Sequence, residues 1–241
     1  MSNGAIIYRG PSLLDGMPIV VVAIGFAAGS ANSKTGNMIQ THILREDIAP
    51  TEAVKTGADV SICGTCPSRG DGTGKGRICY VNVGQGPLVV WKAYKAGKYP
   101  LWDGTGVNGR MVRLGTYGDP AAVPMHVWDA LLRDADGHTG YTHQWETRPD
   151  LARYCMASAD STNDALRAQA RGWRTFRVAL PSDTPRMQGE VTCPASAEAG
   201  RKLTCIQCRA CDGTNSNRRG TIVIQAHGGT AVMANIKRRV A

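Results

Sequence analysis

The chain has 241 residues, of which 42% are apolar and 20% charged, with a formal net charge of +9. Those proportions suit a globular chain with a core of its own and exclude a disordered tail or a fibre, and no run approaches the roughly 20 apolar residues that a membrane helix needs. The excess of Lys and Arg points to an anionic partner, nucleic acid first, because basic side chains release counterions from phosphate. Met1-Ser2-Asn3-Gly4 lacks the basic start of a secretory leader, so a reducing cytoplasm is the expected setting.

Residues 19–25 are β-branched and continuous, which predicts a strand covered on both faces, as in a parallel sheet. A loop over 29–36 follows, then an alternating segment, 37–44, that reads as a second strand. The loop is rich in Gly, Ser and Lys but lacks the spacing of a phosphate-binding loop. Lys34 and Asn37 are kept as candidate ligand contacts. Residues 79–83 read as a strand and 87–96 as a helix. From 111 onward strand and helix alternate: strands at 111–115, 139–145, 154–159, 175–180 and 221–226, with helices at 121–133, 162–171 and after Gly229. Alternation of this kind means βαβ units and a parallel sheet. With these strand candidates on a chain of this length, the expected fold is α/β, a (β/α)8-like barrel, complete or incomplete, forming a single domain over 1–241.

In such a fold, chemistry sits where strands end. The strand-end positions hold Asp119, His143, Gln144, Asp160 and His227. Asp119 and Asp160 are candidate nucleophile or base, His143 a proton shuttle and Gln144 a reader of base edges. Asp119 before Pro120, and Asp160-Ser161 before the helix from 162, are also ordinary helix starts.

The eight cysteines fall into two groups. Cys193, Cys205, Cys208 and Cys211 are spaced C-x11-C-x2-C-x2-C, with His227 sixteen residues further on. Close thiols wrap an ion in one turn and a distant ligand closes the tetrahedron. Either Cys193 or His227 can close this set, with zinc as the expected ion and a 4Fe-4S cluster as the alternative. Residues 192–213 would then be a metal-binding insertion before the last strand. The second group, Cys63, Cys66 and Cys79, is spaced C-x2-C-x12-C. It lacks one ligand, and Cys155 is the expected fourth.

Ser33 to Asn37, the Cys63, Cys66 and Cys79-Tyr80 set, Gly118-Asp119-Pro120, Gly140 to Trp145 and the loop from Cys193 to Cys211 followed by His227-Gly228 resemble a group of cysteine-rich bacteriophage proteins of unassigned function, including the gene-product-88 type. That resemblance implies an infected host cell as the setting. A more distant similarity is to tRNA-guanine transglycosylases and their phage DNA-modifying relatives, which are (β/α)8 barrels with a zinc site and an aspartate nucleophile. This second resemblance implies Cys205, Cys208, Cys211 and His227 as zinc ligands. The chain departs from that family in its C-x2-C pair and in lacking the Asp-Ser-Gly-Gly-Phe-Gln segment, so Asp119 and Asp160 are chosen by strand-end position alone.

Three functions compete. One is an enzyme acting on nucleic acid by base exchange. Another is an iron-sulfur enzyme of radical type. The third is a zinc-stapled module that binds nucleic acid or protein without catalysis.

Overall fold

The computed structural model describes residues 2–29, 34–180, 186–200, 203–214 and 220–240. Part of the loop at 29–36, including Ser33, lies outside the described residues. The chain is a mixed α/β protein built on two five-stranded sheets.

The first sheet begins with a hairpin. Strand β1 (Gly4–Pro11) pairs antiparallel with β2 (Pro18–Ile24) through a turn closed by the Ser12 N–H on Met17 O at 2.8 Å. β2 pairs antiparallel with β3 (Ile39–Arg45). Ile19 to Ala23 are wholly buried, which is why this segment is uninterrupted in apolar character. The expectation of a covered strand is met, but its neighbours run antiparallel: the short turn over 12–17 makes β1 and β2 a hairpin, and β3 returns antiparallel after the longer segment 25–38.

A long excursion follows, carrying α1 (Pro50–Thr56), α2 (Val60–Cys63) and α3 (Gly86–Lys95). Residues 79–83 belong to it and form no strand. Their backbone serves the loop instead, with the Ile78 and Cys79 N–H groups both donating to Ser68 O, at 3.1 and 3.0 Å. The chain then enters β4 (Met111–Tyr117), parallel to β3, and passes through α4 (Met125–Leu132) to β5 (Gly137–Thr139), parallel to β4. Helix α4 buries Val127, Trp128 and Leu131 in the core, and the Trp128 indole N–H reaches Pro120 O at 3.1 Å.

At Gly140 the strand changes partners, and β6 (Tyr141–Thr142) opens the second sheet. The strand expected over 139–145 is therefore two short pieces in different sheets. β7 (Met156–Ala159), α5 (Thr162–Ala170), β8 (Thr175–Ala179), β9 (Glu190–Thr192), α6 (Cys205–Cys208), β10 (Thr221–Gln225) and α7 (Thr230–Val240) complete the chain. The order in this sheet is β6-β7-β8-β10-β9, parallel throughout.

A closed (β/α)8 barrel needs every strand to have two neighbours. Among the described residues β1 and β9 lie at open edges, apart from a one-residue bridge between Ile6 and Leu101. Two parallel-rich sheets joined at Gly140 replace the expected closed ring. No described helix is long and apolar enough to cross a membrane.

Candidate functional site

The strand ends bring three of the predicted residues together. Asp119 follows β4, His143 follows β6 and Asp160 follows β7. Asp119 is buried, and its Oδ1 accepts the Ala121 N–H at 2.9 Å and the Thr142 hydroxyl at 2.7 Å, while Oδ2 accepts the His143 backbone N–H at 2.8 Å. Burial raises its pKa, against the pull of those donors. With both oxygens engaged by the protein, Asp119 is built to hold the turn after β6 in place.

The His143 imidazole sits at this edge between a carboxylate and a thiol. Its Nε2 lies 3.1 Å from Asp160 Oδ2 and 3.8 Å from Cys66 Sγ. Burial pushes the imidazole down, but Cys66 and Asp160 together push it further up, and it ends well above the usual histidine value. Asp160 is not the helix cap: Ser161 caps α5 through the Asp164 N–H. Asp160 therefore keeps its carboxylate for His143.

Gln144 is buried, and its side chain lies across the turn at Gly64, with Nε2 donating to Cys63 O at 3.4 Å and Oε1 accepting the Thr65 hydroxyl at 3.2 Å. A Cβ on Gly64 (φ +56) would sit 2.6 Å from that amide. Gln144 thus braces the strand end against the first cysteine loop, which leaves it badly placed to read a base edge.

That loop is held by an ion pair. Arg69 donates to Asp59 Oδ1 through Nε at 3.0 Å and also reaches the Gly57 and Gly64 carbonyls. The Asp71 carboxylate accepts the N–H groups of Thr73 and Lys75, which curls the glycine-rich segment back and returns Cys79 beside Ser68. Cys63, Cys66 and Cys79 end within electrostatic reach of one another, and burial raises the Cys63 and Cys79 thiols. Cys155 lies elsewhere, wholly buried against Gly140 and coupled to Asp119. Burial raises its thiol, with Asp119 adding to the effect.

The second cysteine group is assembled on one face of the second sheet. Cys193 continues β9 and donates its N–H to Val223 O at 2.8 Å. Thr204 and Gln207 form a capping box around α6, which places Cys205 and Cys208 at its two ends. Arg209 then adopts a left-handed backbone (φ 55), a conformation that costs a non-glycine residue about 1–2 kcal/mol and here turns the chain back toward Cys211. The Cys211 carbonyl accepts the Gly140 N–H at 3.1 Å. Cys193, Cys205, Cys208 and Cys211 all border one cavity of about 20 Å³, closed by Thr139, Tyr141 and Ile222. Burial drives the Cys211 thiol up to about 12, opposed by a hydrogen bond from Tyr141 and reinforced by the other three sulfurs. As the side chains stand, no three His, Cys, Asp or Glu among the described residues are gathered tightly enough to hold an ion. The eight cysteines form no disulfide.

The remaining predicted residues are dispersed. His227 is exposed, its Nδ1 lies 2.8 Å from Gln225 O, and its ring stacks on Tyr80 with centroids 6.3 Å apart. It does not border the four-thiol cavity. Lys34 lies near that cavity, its carbonyl accepting the Cys205 N–H at 3.0 Å. Asn37 bonds Arg110 at 3.0 Å. A larger open cleft of about 470 Å³ between Asp129, Arg133, Asp136 and Arg153 contains none of the predicted residues.

Sequence reasoning missed two buried arginines. Arg174 donates to Asp212 and to the carbonyls of Ala210, Gly213 and Gly220, holding the end of the thiol loop. Arg177 forms a bidentate pair with Glu190, both wholly buried, across the centre of the second sheet. An arginine inside a predicted buried strand was the available signal, since a charge there demands a partner.

Comparison with known protein families, with curated proteins and with solved structures returned no match.

Proposed function

We propose that this chain is a zinc-stapled protein that binds nucleic acid. The observation that carries the reading is the cavity shared by Cys193, Cys205, Cys208 and Cys211. A space of about 20 Å³ has room for roughly one water-sized occupant, which suits a single ion better than a four-iron cluster. Four thiolates make a closed structural zinc site once their sulfurs turn inward on the ion. The ion would tie residues 193–211 to the face of the second sheet, since binding energy at such a site is also folding energy. The net charge of +9 supports the anionic partner.

Metal analysis after anaerobic purification tests the first part. A colourless protein with zinc that Cys208→Ser reduces supports it, and a brown protein absorbing near the visible edge supports the iron-sulfur alternative instead. Retention on DNA or RNA that falls steeply with salt tests the second part, and no retention at low salt overturns it.

A second reading, base exchange or other acid-base chemistry on nucleic acid, is favoured by one observation, the His143–Asp160 pair at 3.1 Å on the strand-end edge. In that reading Asp160 and His143 move protons while Asp119 holds the turn.

A further inference from the structure

We propose that Cys63, Cys66, Cys79 and His143 form a second zinc-type site, distinct from the four-thiol site, in which His143 Nε2 and not Cys155 supplies the fourth ligand. The two sites share no residue, so either can fail without the other.

Tetrahedral zinc with bonds of about 2.3 Å to sulfur and about 2.0–2.1 Å to imidazole nitrogen places those two ligand atoms roughly 3.6 Å apart. Cys66 Sγ and His143 Nε2 are 3.8 Å apart. Cys63 lies within electrostatic reach of Cys66 and Cys79, and Cys79 within reach of Cys66 and His143, although as the side chains stand they must still turn inward to hold an ion. The scaffold that places them is firm: the Arg69–Asp59 pair fixes the Cys63–Cys66 turn, Ser68 O anchors Cys79, and Asp119 anchors the His143 backbone.

An independent observation points to something bound there. The Tyr117 hydroxyl is buried without a hydrogen-bond partner, within electrostatic reach of Cys63 and Cys79. A buried donor left unpaired costs about 1–3 kcal/mol, and a metal-bound thiolate is the acceptor this position lacks. Hydrogen bonds from outside the ligand set to metal-bound groups are a regular feature of such centres. Binding would release the thiol protons and the Nε2 proton to solvent, and Asp160, now on Nε2, would give up that contact to the ion.

Cys155 is unsuited to the role. A Cβ on Gly140 would lie 2.8 Å from its sulfur, so the thiol fills the space that glycine leaves in the core.

The test is a zinc count on the full chain purified from zinc-supplemented medium, with variants in each site. His143→Ala and Cys79→Ser should each carry one zinc fewer per chain than wild type, as should Cys208→Ser at the other site, and Cys155→Ser should carry the full number. Combining His143→Ala with Cys208→Ser should remove both ions, which separates failure here from failure of the four-thiol site. His143→Cys guards against a variant that merely misfolds. It should restore the lost ion and, with cobalt in place of zinc, strengthen the sulfur-to-metal charge-transfer band, because three thiolates become four. An undiminished zinc count in His143→Ala, or a loss in Cys155→Ser with His143→Ala unaffected, overturns the proposal.

Discussion

Asp119 Oδ2 accepts the backbone N–H of His143 at 2.8 Å, so a carboxylate at the end of β4 fixes the residue that ends β6, across the junction of the two sheets. Asp119→Asn would set an amide N–H against one of three donors, Ala121 N–H, Thr142 hydroxyl or His143 N–H. The expected result is a stability loss of about 1–3 kcal/mol in urea unfolding, with the metal content of the protein unchanged. If stability is unaltered while a reaction on nucleic acid disappears, Asp119 is the reacting carboxylate after all.

His42 gives the fold a dependence on pH. Burial, with Arg113 adding to it, lowers its pKa from 6.5 to about 4. The ring is neutral in the fold and takes up a proton on unfolding. Its contribution is therefore fully present above pH 6.5 and is lost as pH falls from 6.5 toward 4, a total on the order of 3 kcal/mol. His42→Gln should flatten that part of the stability profile. Denaturation midpoints measured across the window would show an unchanged slope if another group is responsible.

Arg174 holds the thiol loop through charge as well as through hydrogen bonds, and both Arg174 and Asp212 are largely buried. Arg174→Met leaves Asp212 and three carbonyls without their donor. A loss of about 3–5 kcal/mol is expected, as for other broken buried pairs. If the proposed zinc is bound, the same variant should release it to a chelator faster than wild type. Equal release rates would mean that the clamp and the ion act independently.

Gly140 is required by space. A Cβ there would lie 2.8 Å from both Cys155 Sγ and Tyr154 O. Gly140→Ala should cost about 1–3 kcal/mol, and adding Cys155→Ala should recover only part of it, since the backbone carbonyl cannot withdraw. Full recovery in the double variant would locate the whole conflict at the sulfur.

Sequence patterns located β4, β7, β8 and β10 well, missed β9, and read the neighbours of these strands poorly. Residues 221–226 are apolar and β-branched because both faces of β10 are covered, and 175–180 keep enough strand character around Arg177 for β8 to be read, so that signal survives without knowing the partner. β1 went unread: Ala5 to Tyr8 form its centre, yet the strand is identified by pairing with β2, a relation no local pattern carries. Residues 79–83 have strand character, but the demands of the loop around Ser68 override it. At the site, strand-end logic gathered Asp119, His143 and Asp160 correctly and could not assign their work. Whether a carboxylate attacks or merely holds depends on what its oxygens already accept, and for Asp119 those donors come from residues 121, 142 and 143. The spacing of Cys63, Cys66 and Cys79 was legible, but the histidine beside Cys66 comes from the second sheet, far away in sequence.

The handover at Gly140 makes the thiol loop a keystone. Gly140 donates its N–H to Cys211 O and accepts the Met156 N–H at 2.9 Å, so the seam between the sheets is closed from the loop on one side and from β7 on the other. Loosening residues 193–211 would therefore remove one of the hydrogen bonds that hold the seam between the sheets. If the thiol loop holds the proposed ion, a calorimetric scan of the loaded protein should show a single cooperative peak, and a chelated sample a broadened or divided one, with the second sheet unfolding ahead of the hairpin-built first.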